Sequence, residues 1–403
     1  MKQQNKLDYL VEFSKRQLSK YIMPFWRTKA VDHENGGFYA QINHDMSIAK
    51  DEVKGLVLNA RILWTFSTVY KAFNNAQDKE LAKRAYDYIS NHFSDNENGG
   101  YFWSLTPEGS PAEIKKQIYA QAFTIYALSE YYKITNDPNI LNEAIELFHL
   151  IEKNAFDKEK NGYIEACAYD WKEIKDLRLS PKDMNEKKSM NTHLHVLEAY
   201  TNLYTVWKDP ELKKQLENLI KVFMKHIVNH EDNHLDLFFD DDWNSKSTLF
   251  SYGHDIESSW LLHEASLITE NKELIKTVEV ICIKIAEAAK LGIYQNKALL
   301  YEDDRAGKHK DHEFEWWVQA EAIVGFLNAM AITGDSSYLD LAYPIANFIE
   351  DHIVDKKNGE WFFRVDLKGE PITSHEKAGF WKCPYHNARA CLEIIHRVNI
   401  LNS

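Results

Sequence analysis

The residues best suited to chemistry in this 403-residue chain are Arg61, His195, His254, Glu257 and His386. Each lies in a conspicuous string. Arg61 ends KGLVLNAR, and Tyr119 lies in KKQIYAQAF. Asn191, His193 and His195 lie in MNTHLHVLEAY, and His254 and Glu257 in GHDIESSW. Trp317 and Glu321 lie in EWWVQAE, and Trp381, His386 and Arg389 in GFWKCPYHNARA. Imidazole titrates near pH 6.5, so it can take and return a proton at working pH. A guanidinium is always charged, and its fork can grip two adjacent oxygens where negative charge develops. Indoles such as Trp317 and Trp381 offer broad apolar faces for packing or for stacking on a ligand ring.

Spacing sorts these residues. Asn191 and His195 are four apart and share a helix face, as do Trp317 and Glu321; His254 and Glu257 are three apart. His193 points away from His195, and Trp316 away from Trp317. Trp381 stands before Pro384, in the loop ahead of its helix. Structural readings stand beside these. Arg61 could form a buried ion pair with Glu257 or Glu321, Asn191 could cap its helix, and a single histidine is often a hydrogen-bonded core residue. A metal site would need His195, His254 and His386 to converge in space, since no HExxH occurs and Cys167, Cys282, Cys383 and Cys391 form no CxxC pair.

The elements that must position these groups repeat. Asn-Gly-aromatic turns occur at 35–39, 98–103, 161–164 and 358–363, with degenerate versions at 233–239 and from Gly292. Gly36, Gly99 and Gly162 are each 63 residues apart. Such turns lead into short strands. Helical periodicity fills the intervals. One helix set is expected over 54–70, 115–134, 186–206, 254–270, 312–332 and 379–398. A second is expected over 3–22, 78–93, 138–154, 211–229, 272–289 and 336–353. Six helical pairs can build an open solenoid or a closed toroid. The count and the long period favour closure. The expected fold is all-α, an (α/α)6 barrel of six inner and six outer helices with short β-hairpins in the connections, forming one domain over 1–403. The candidate groups all lie near the starts of the first helix set, so parallel inner helices would gather them at one pole, where helix N-termini favour negative charge.

Composition narrows the class. Net charge is −13, from 61 acidic against 48 basic residues, so no basic face for nucleic acid is expected. No apolar run approaches a membrane span and the N-terminal residues carry no signal-peptide core, so a cytoplasmic location is expected. Aromatic residues reach 13%, which with 17 histidines suits a carbohydrate site.

At KGLVLNARILWTFS, KSMNTHLHVLEAYTNLY, GHDIESSWLL, EWWVQAEA and GFWKCPYHNARACLEI the chain resembles the N-acylglucosamine 2-epimerase family. The resemblance implies an (α/α)6 barrel without metal or redox cofactor. It also implies epimerisation at C2 of the reducing-end sugar of a β-1,4-linked disaccharide: cellobiose to glucosyl-mannose, lactose to epilactose. By the same resemblance, His254 and His386 transfer the C2 proton. His195 assists ring opening, Arg61 holds the open-chain oxygens, and Glu257 orients His254. Tyr119, Asn191, Trp317, Glu321 and Trp381 line the sugar site. The expected partner is the disaccharide, acting on a monomer or weak homodimer. Alternatives are a mannose isomerase or N-acylglucosamine epimerase of the same fold, an inverting glycosidase built on Glu257 and Glu321, and a sugar-binding protein without activity.

Overall fold

The computed structural model describes residues 2–295, 297–309 and 311–401. Helix α1 (Gln3–Arg16) passes through a wider π-type turn into α2 (Met23–Thr28). Then come α3 (Leu56–Phe73), α4 (Ala76–Tyr88), α5 (Ile118–Thr135) and α6 (Pro138–Asn154). They are followed by α7 (Met190–Val206), α8 (Pro210–Val222), α9 (Tyr252–Thr269) and α10 (Lys272–Lys290). The order ends with α11 (Trp316–Thr333), α12 (Leu339–Phe348) and α13 (Tyr385–Leu401).

Short turns link α3 to α4, α5 to α6, α9 to α10 and α11 to α12 by one device. Asn74, Asn136, Glu270 and Gly334 end the first helix with positive φ. The next residue, Asn75, Asp137, Asn271 or Asp335, accepts a backbone N–H from the turn that follows. A left-handed residue closes one helix and an oxygen-bearing side chain opens the next.

Packing follows from which faces are apolar. In α11 every residue from Trp316 to Met330 is buried, whereas α8 buries one stripe, Leu212, Leu216, Leu219 and Ile220. A helix apolar all round belongs inside, and a striped one outside. Accordingly α3, α5, α7, α9, α11 and α13 each pack against the next, and α13 packs back on α3. Around them α4 covers α3, α6 covers α5, α8 covers α7 and α9, and α10 covers α9 and α11. Helices α1 and α12 cover α13 and α11 and touch each other. One contiguous apolar core runs from Leu7 to Val398.

The N-terminal ends of the inner helices are held side by side by two-stranded antiparallel sheets. Lys54–Gly55 pairs with Ser104–Leu105, and Lys116–Gln117 with Ala166–Cys167. Lys188–Ser189 pairs with Phe238–Phe239, Leu249–Ser251 with Glu302–Asp304, and Phe314–Glu315 with Arg364–Val365. A bridge between Ile42 and Ala378 completes the circle. These strands explain why helices expected from 115, 186 and 312 begin at Ile118, Met190 and Trp316. The helix expected from 379 begins at Tyr385, because Pro384 cannot supply a helical N–H.

The repeated turns carry a repeated lock. Asp32, Asp95, Asp157 and Asp355 each accept two backbone N–H groups of their own turn. Each also receives a buried lysine, Lys54, Lys116, Lys188 or Lys377, at 2.7 or 2.8 Å. A second contact comes from the inner helix. Gln121 and Gln319 bond both backbone groups of Tyr101 and Leu299, while Asp255 accepts from Leu235 N. His193 takes the same place. Its Nε2 accepts from Tyr163 N at 2.8 Å and its Nδ1 donates to Ser189 O at 2.6 Å. Burial lowers its pKa to about 4, so it is a neutral structural residue. Gly162, at φ +85°, has no room for a Cβ, which would stand 2.7 Å from that Nε2.

Candidate active site

The inner-helix ends bring most of the expected residues together. Arg61, on the second turn of α3, is 3% exposed. Its Nη2 donates to Tyr119 Oη at 2.7 Å, and its guanidinium lies 4.2 Å from the Phe123 ring centre and 4.9 Å from that of Tyr385. Its Nε is buried without a partner. The ion pair to Glu257 or Glu321 weighed above does not form. Among the described residues no carboxylate lies within ion-pair distance of Arg61. Trp381 lies in the loop before α13, as its position ahead of Pro384 predicts, with its ring 6.0 Å from that of Tyr119.

The glutamates belong to a different cation. Arg389, one turn after His386 on α13, bonds Glu257 Oε1 at 2.5 Å and Glu321 Oε1 at 2.8 Å through Nη2. Its Nη1 reaches Glu198 Oε1 and Tyr385 Oη. This clamp joins α7, α9, α11 and α13. Burial opposes ionisation of Glu198, but Arg389, His195 and Tyr385 outweigh it and hold its carboxyl down at about 2. Burial and the neighbouring Glu321 push Glu257 up to about 7 against the pull of Arg389. Burial also raises Glu321.

Two of the histidines are oriented by this clamp. His195 Nδ1 bonds Glu198 Oε2 at 2.9 Å, and His386 Nδ1 bonds Glu321 Oε1 at 2.7 Å. Glu198 is ionised and only accepts, so Nδ1 of His195 carries the proton and its Nε2 is left free. Glu321 is further fixed by Trp260 Nε1 at 3.0 Å. His254 has no such partner: its Nδ1 is buried and unbonded. The expectation that Glu257 orients His254 is therefore corrected. Glu257 Oε1 is held by Arg389 and lies 3.8 Å from His386 Nδ1. Residues three apart on a helix can share a face, and one of them can still be claimed by a stronger charge across the ring.

His254 and His386 meet at Trp317, whose ring centre lies 4.8 Å from one imidazole and 5.4 Å from the other. Burial lowers the pKa of His254 to about 3, with His195 adding to it. Burial and the Arg61 charge hold that of His386 well below its ordinary value. Both are neutral bases at working pH.

Asn191 stands apart. It lies one turn before His195 and lines a small cavity with Glu165 and Asp183. It is not the cap of α7; Ser189 is, accepting from Thr192 N at 3.1 Å. Glu198, Tyr385 and the clamping role of Arg389 are the functional features that sequence reasoning missed. The signal was present, since Glu198 is three residues from His195 and Arg389 three from His386.

Glu257, Glu321 and His386 bring ligand-type atoms within 4.8 Å of one another. Arg389 already neutralises that cluster, so a divalent ion would have to displace a guanidinium bonded to both carboxylates. The same closeness disfavours an inverting glycosidase, whose carboxyls stand about 6.5–9.5 Å apart to admit water.

This architecture has clear relatives. The sequence profile of N-acylglucosamine 2-epimerase (GlcNAc 2-epimerase) matches residues 37–390. The cellobiose 2-epimerase of Bacteroides fragilis is 47% identical over 388 residues, 96% of this chain and 99% of its own. The structure of cellobiose 2-epimerase from Bacillus thermoamylovorans superposes with a TM-score of 0.92 at 38% identity, covering 97% of this chain and 100% of that one. A D-mannose isomerase structure shares the fold, with a TM-score of 0.82 at 21% identity and 97% of each chain covered. The chain belongs to the N-acylglucosamine 2-epimerase family. It is an isomerase, an epimerase of carbohydrates.

Proposed function

We propose that this enzyme inverts C2 of the reducing-end sugar of a β-1,4-linked disaccharide, with cellobiose and lactose as substrates, in a single-domain (α/α)6 barrel. The observation that carries the reading is Arg61: a buried guanidinium with no carboxylate at ion-pair distance among the described residues, in a site with two neutral imidazoles. Such a cation awaits an anion, and a cis-enediolate is one. The cellobiose 2-epimerases among the relatives supply the disaccharide.

Ring opening needs a proton at the ring oxygen and loss of one from the anomeric hydroxyl. His195, backed by ionised Glu198, takes the anomeric proton on its free Nε2 and passes that proton to the ring oxygen. The C2 proton is then α to an aldehyde. One of His254 and His386 removes it as the neutral base and Arg61 holds the two oxygens of the enediolate; the other, having taken up a proton from solvent, returns it to the opposite face, and the first then releases its proton to solvent. Each positioned base is worth roughly 10²–10⁴-fold. Tyr119 steadies Arg61, and Trp317 and Trp381 give apolar faces to the rings; Asn191, in its own small cavity, has no part in these steps. Glu257 and Glu321 act through Arg389 and His386. Protonation of the same enediolate at C1 gives a ketose, so slow isomerisation accompanies epimerisation.

The test is proton NMR of the enzyme with cellobiose in D2O and a chelator. Expected are mannose-type anomeric signals with deuterium at C2, at a rate the chelator does not change. Free glucose would identify a glycosidase, and no reaction would shift the substrate to free mannose or N-acetylmannosamine. His254→Ala and His386→Ala are each expected to abolish C2 exchange in a folded protein; exchange at the wild-type rate in either removes that histidine from the mechanism.

A further inference from the structure

We propose that Arg364 and Glu315 are positioning residues that fix the plane of Trp317 between the two bases. Neither lies on an inner helix. Glu315 precedes α11 and is the partner of Arg364 in the antiparallel pair Phe314–Glu315 with Arg364–Val365. One carboxylate oxygen of Glu315, Oε2, accepts the Trp317 indole N–H, and the other, Oε1, accepts from Arg364 Nη2. Arg364 is itself held by Glu313 at 2.8 Å and Asp311 at 3.1 Å through Nη1. The chain of contacts runs from an arginine on the last connecting loop, through a carboxylate, to the indole between His254 and His386.

The indole is confined on its other side too. A Cβ on Gly253 would stand 2.7 Å from Trp317 Cη2, so the ring packs hard against the start of α9. Tyr301 closes a third side, 5.7 Å from the Trp317 ring and 5.9 Å from the Arg364 guanidinium. Steric contact limits how far the ring can move, and a charge-assisted hydrogen bond selects its orientation. Glu315 is 5% exposed, so without Arg364 it becomes a buried carboxyl with the indole as its remaining side-chain donor. Such a group takes up a proton and weakens as an acceptor. The indole then loses its anchor, and with it the separation of the two imidazoles. Misplacement of about 1 Å can cost a reaction 10²-fold.

This rests on the epimerase reading for its kinetic part only. In 15N-labelled enzyme the indole resonance absent from Trp317→Phe identifies Trp317. In Arg364→Met this resonance is expected to move upfield, and kcat for cellobiose to fall about tenfold or more with a smaller change in KM. Arg364→Lys should restore part of both. The double variant Trp317→Phe/Arg364→Met should be no slower than Trp317→Phe alone, because the arginine acts through that ring. An unmoved indole resonance, an unchanged kcat or additive losses in the double variant would overturn the proposal. If Arg364→Met does not fold, Arg364→Lys and Glu315→Gln take the same measurements. Failure of the wild type on cellobiose would sink the substrate reading, while the indole shift still decides the positioning.

Discussion

Arg389 decides how charge is distributed among the buried carboxylates. Glu257, with its pKa raised to about 7, binds a proton in the folded state that the unfolded chain releases near the ordinary 4.5. The folded state therefore holds more protons between these values, and this group's contribution to stability falls as pH rises through that window. Glu257→Gln removes the slope: its Tm relative to wild type is expected to rise steadily from pH 5 to pH 8. Glu198 has the opposite sign. Its pKa of about 2 lies below the unfolded value, so it stabilises above pH 4.5 and loses that effect as pH falls toward 2. Glu198→Gln should therefore cost more Tm at pH 7 than at pH 3. The gathering of the histidines, Arg61 and the tryptophans was legible because their strings all fall near the starts of one helix set. The carboxylate partners were not, because a glutamate's choice among cations depends on which helices face each other across a ring, and helical periodicity carries no such information.

Among the elements, the aspartate turns with their buried lysines hold the inner helices in register. Lys116 is fully buried and pairs with Asp95 at 2.8 Å. Removing one partner of a buried pair strands the other charge, at a cost of about 3–5 kcal/mol. Lys116→Met is expected to lose stability on that scale in denaturant titration, and Asp95→Asn/Lys116→Met to lose less than the sum of the single variants. The turns were readable from Asn-Gly-aromatic strings, and the helices from their period. Helix starts were placed too early at 115, 186, 312 and 379. Two-residue strands and a proline loop precede those helices, and no periodicity is measurable over so few residues. The equivalence of His193 with Gln121 and Gln319 was hidden for a related reason. Three residue types fill one structural position, and only their shared hydrogen bonds to the preceding turn reveal it.

For the molecule as a whole, closure of the inner ring ties the site to the entire fold. Glu198, Glu257, Glu321 and Arg389 come from four different inner helices, so no local part of the structure can hold them in place. Loss of activity and loss of near-ultraviolet dichroism are expected to coincide in denaturant, and activity lost well before the dichroism would show that the clamp opens first. Among the described residues no helix is long and apolar enough to cross a membrane.

The ring also has an order in time. Chains emerge from the ribosome N-terminal end first, and α13 is the segment that packs between α11 and α3 and carries both His386 and Arg389. Until it emerges, Glu198, Glu257 and Glu321 lack the guanidinium that bonds all three. A nascent chain halted before Tyr385 would then have every wall of the ring but one, and would lack both Arg389 and His386. The clamp can therefore form only once α13 has emerged, however early the other inner helices fold.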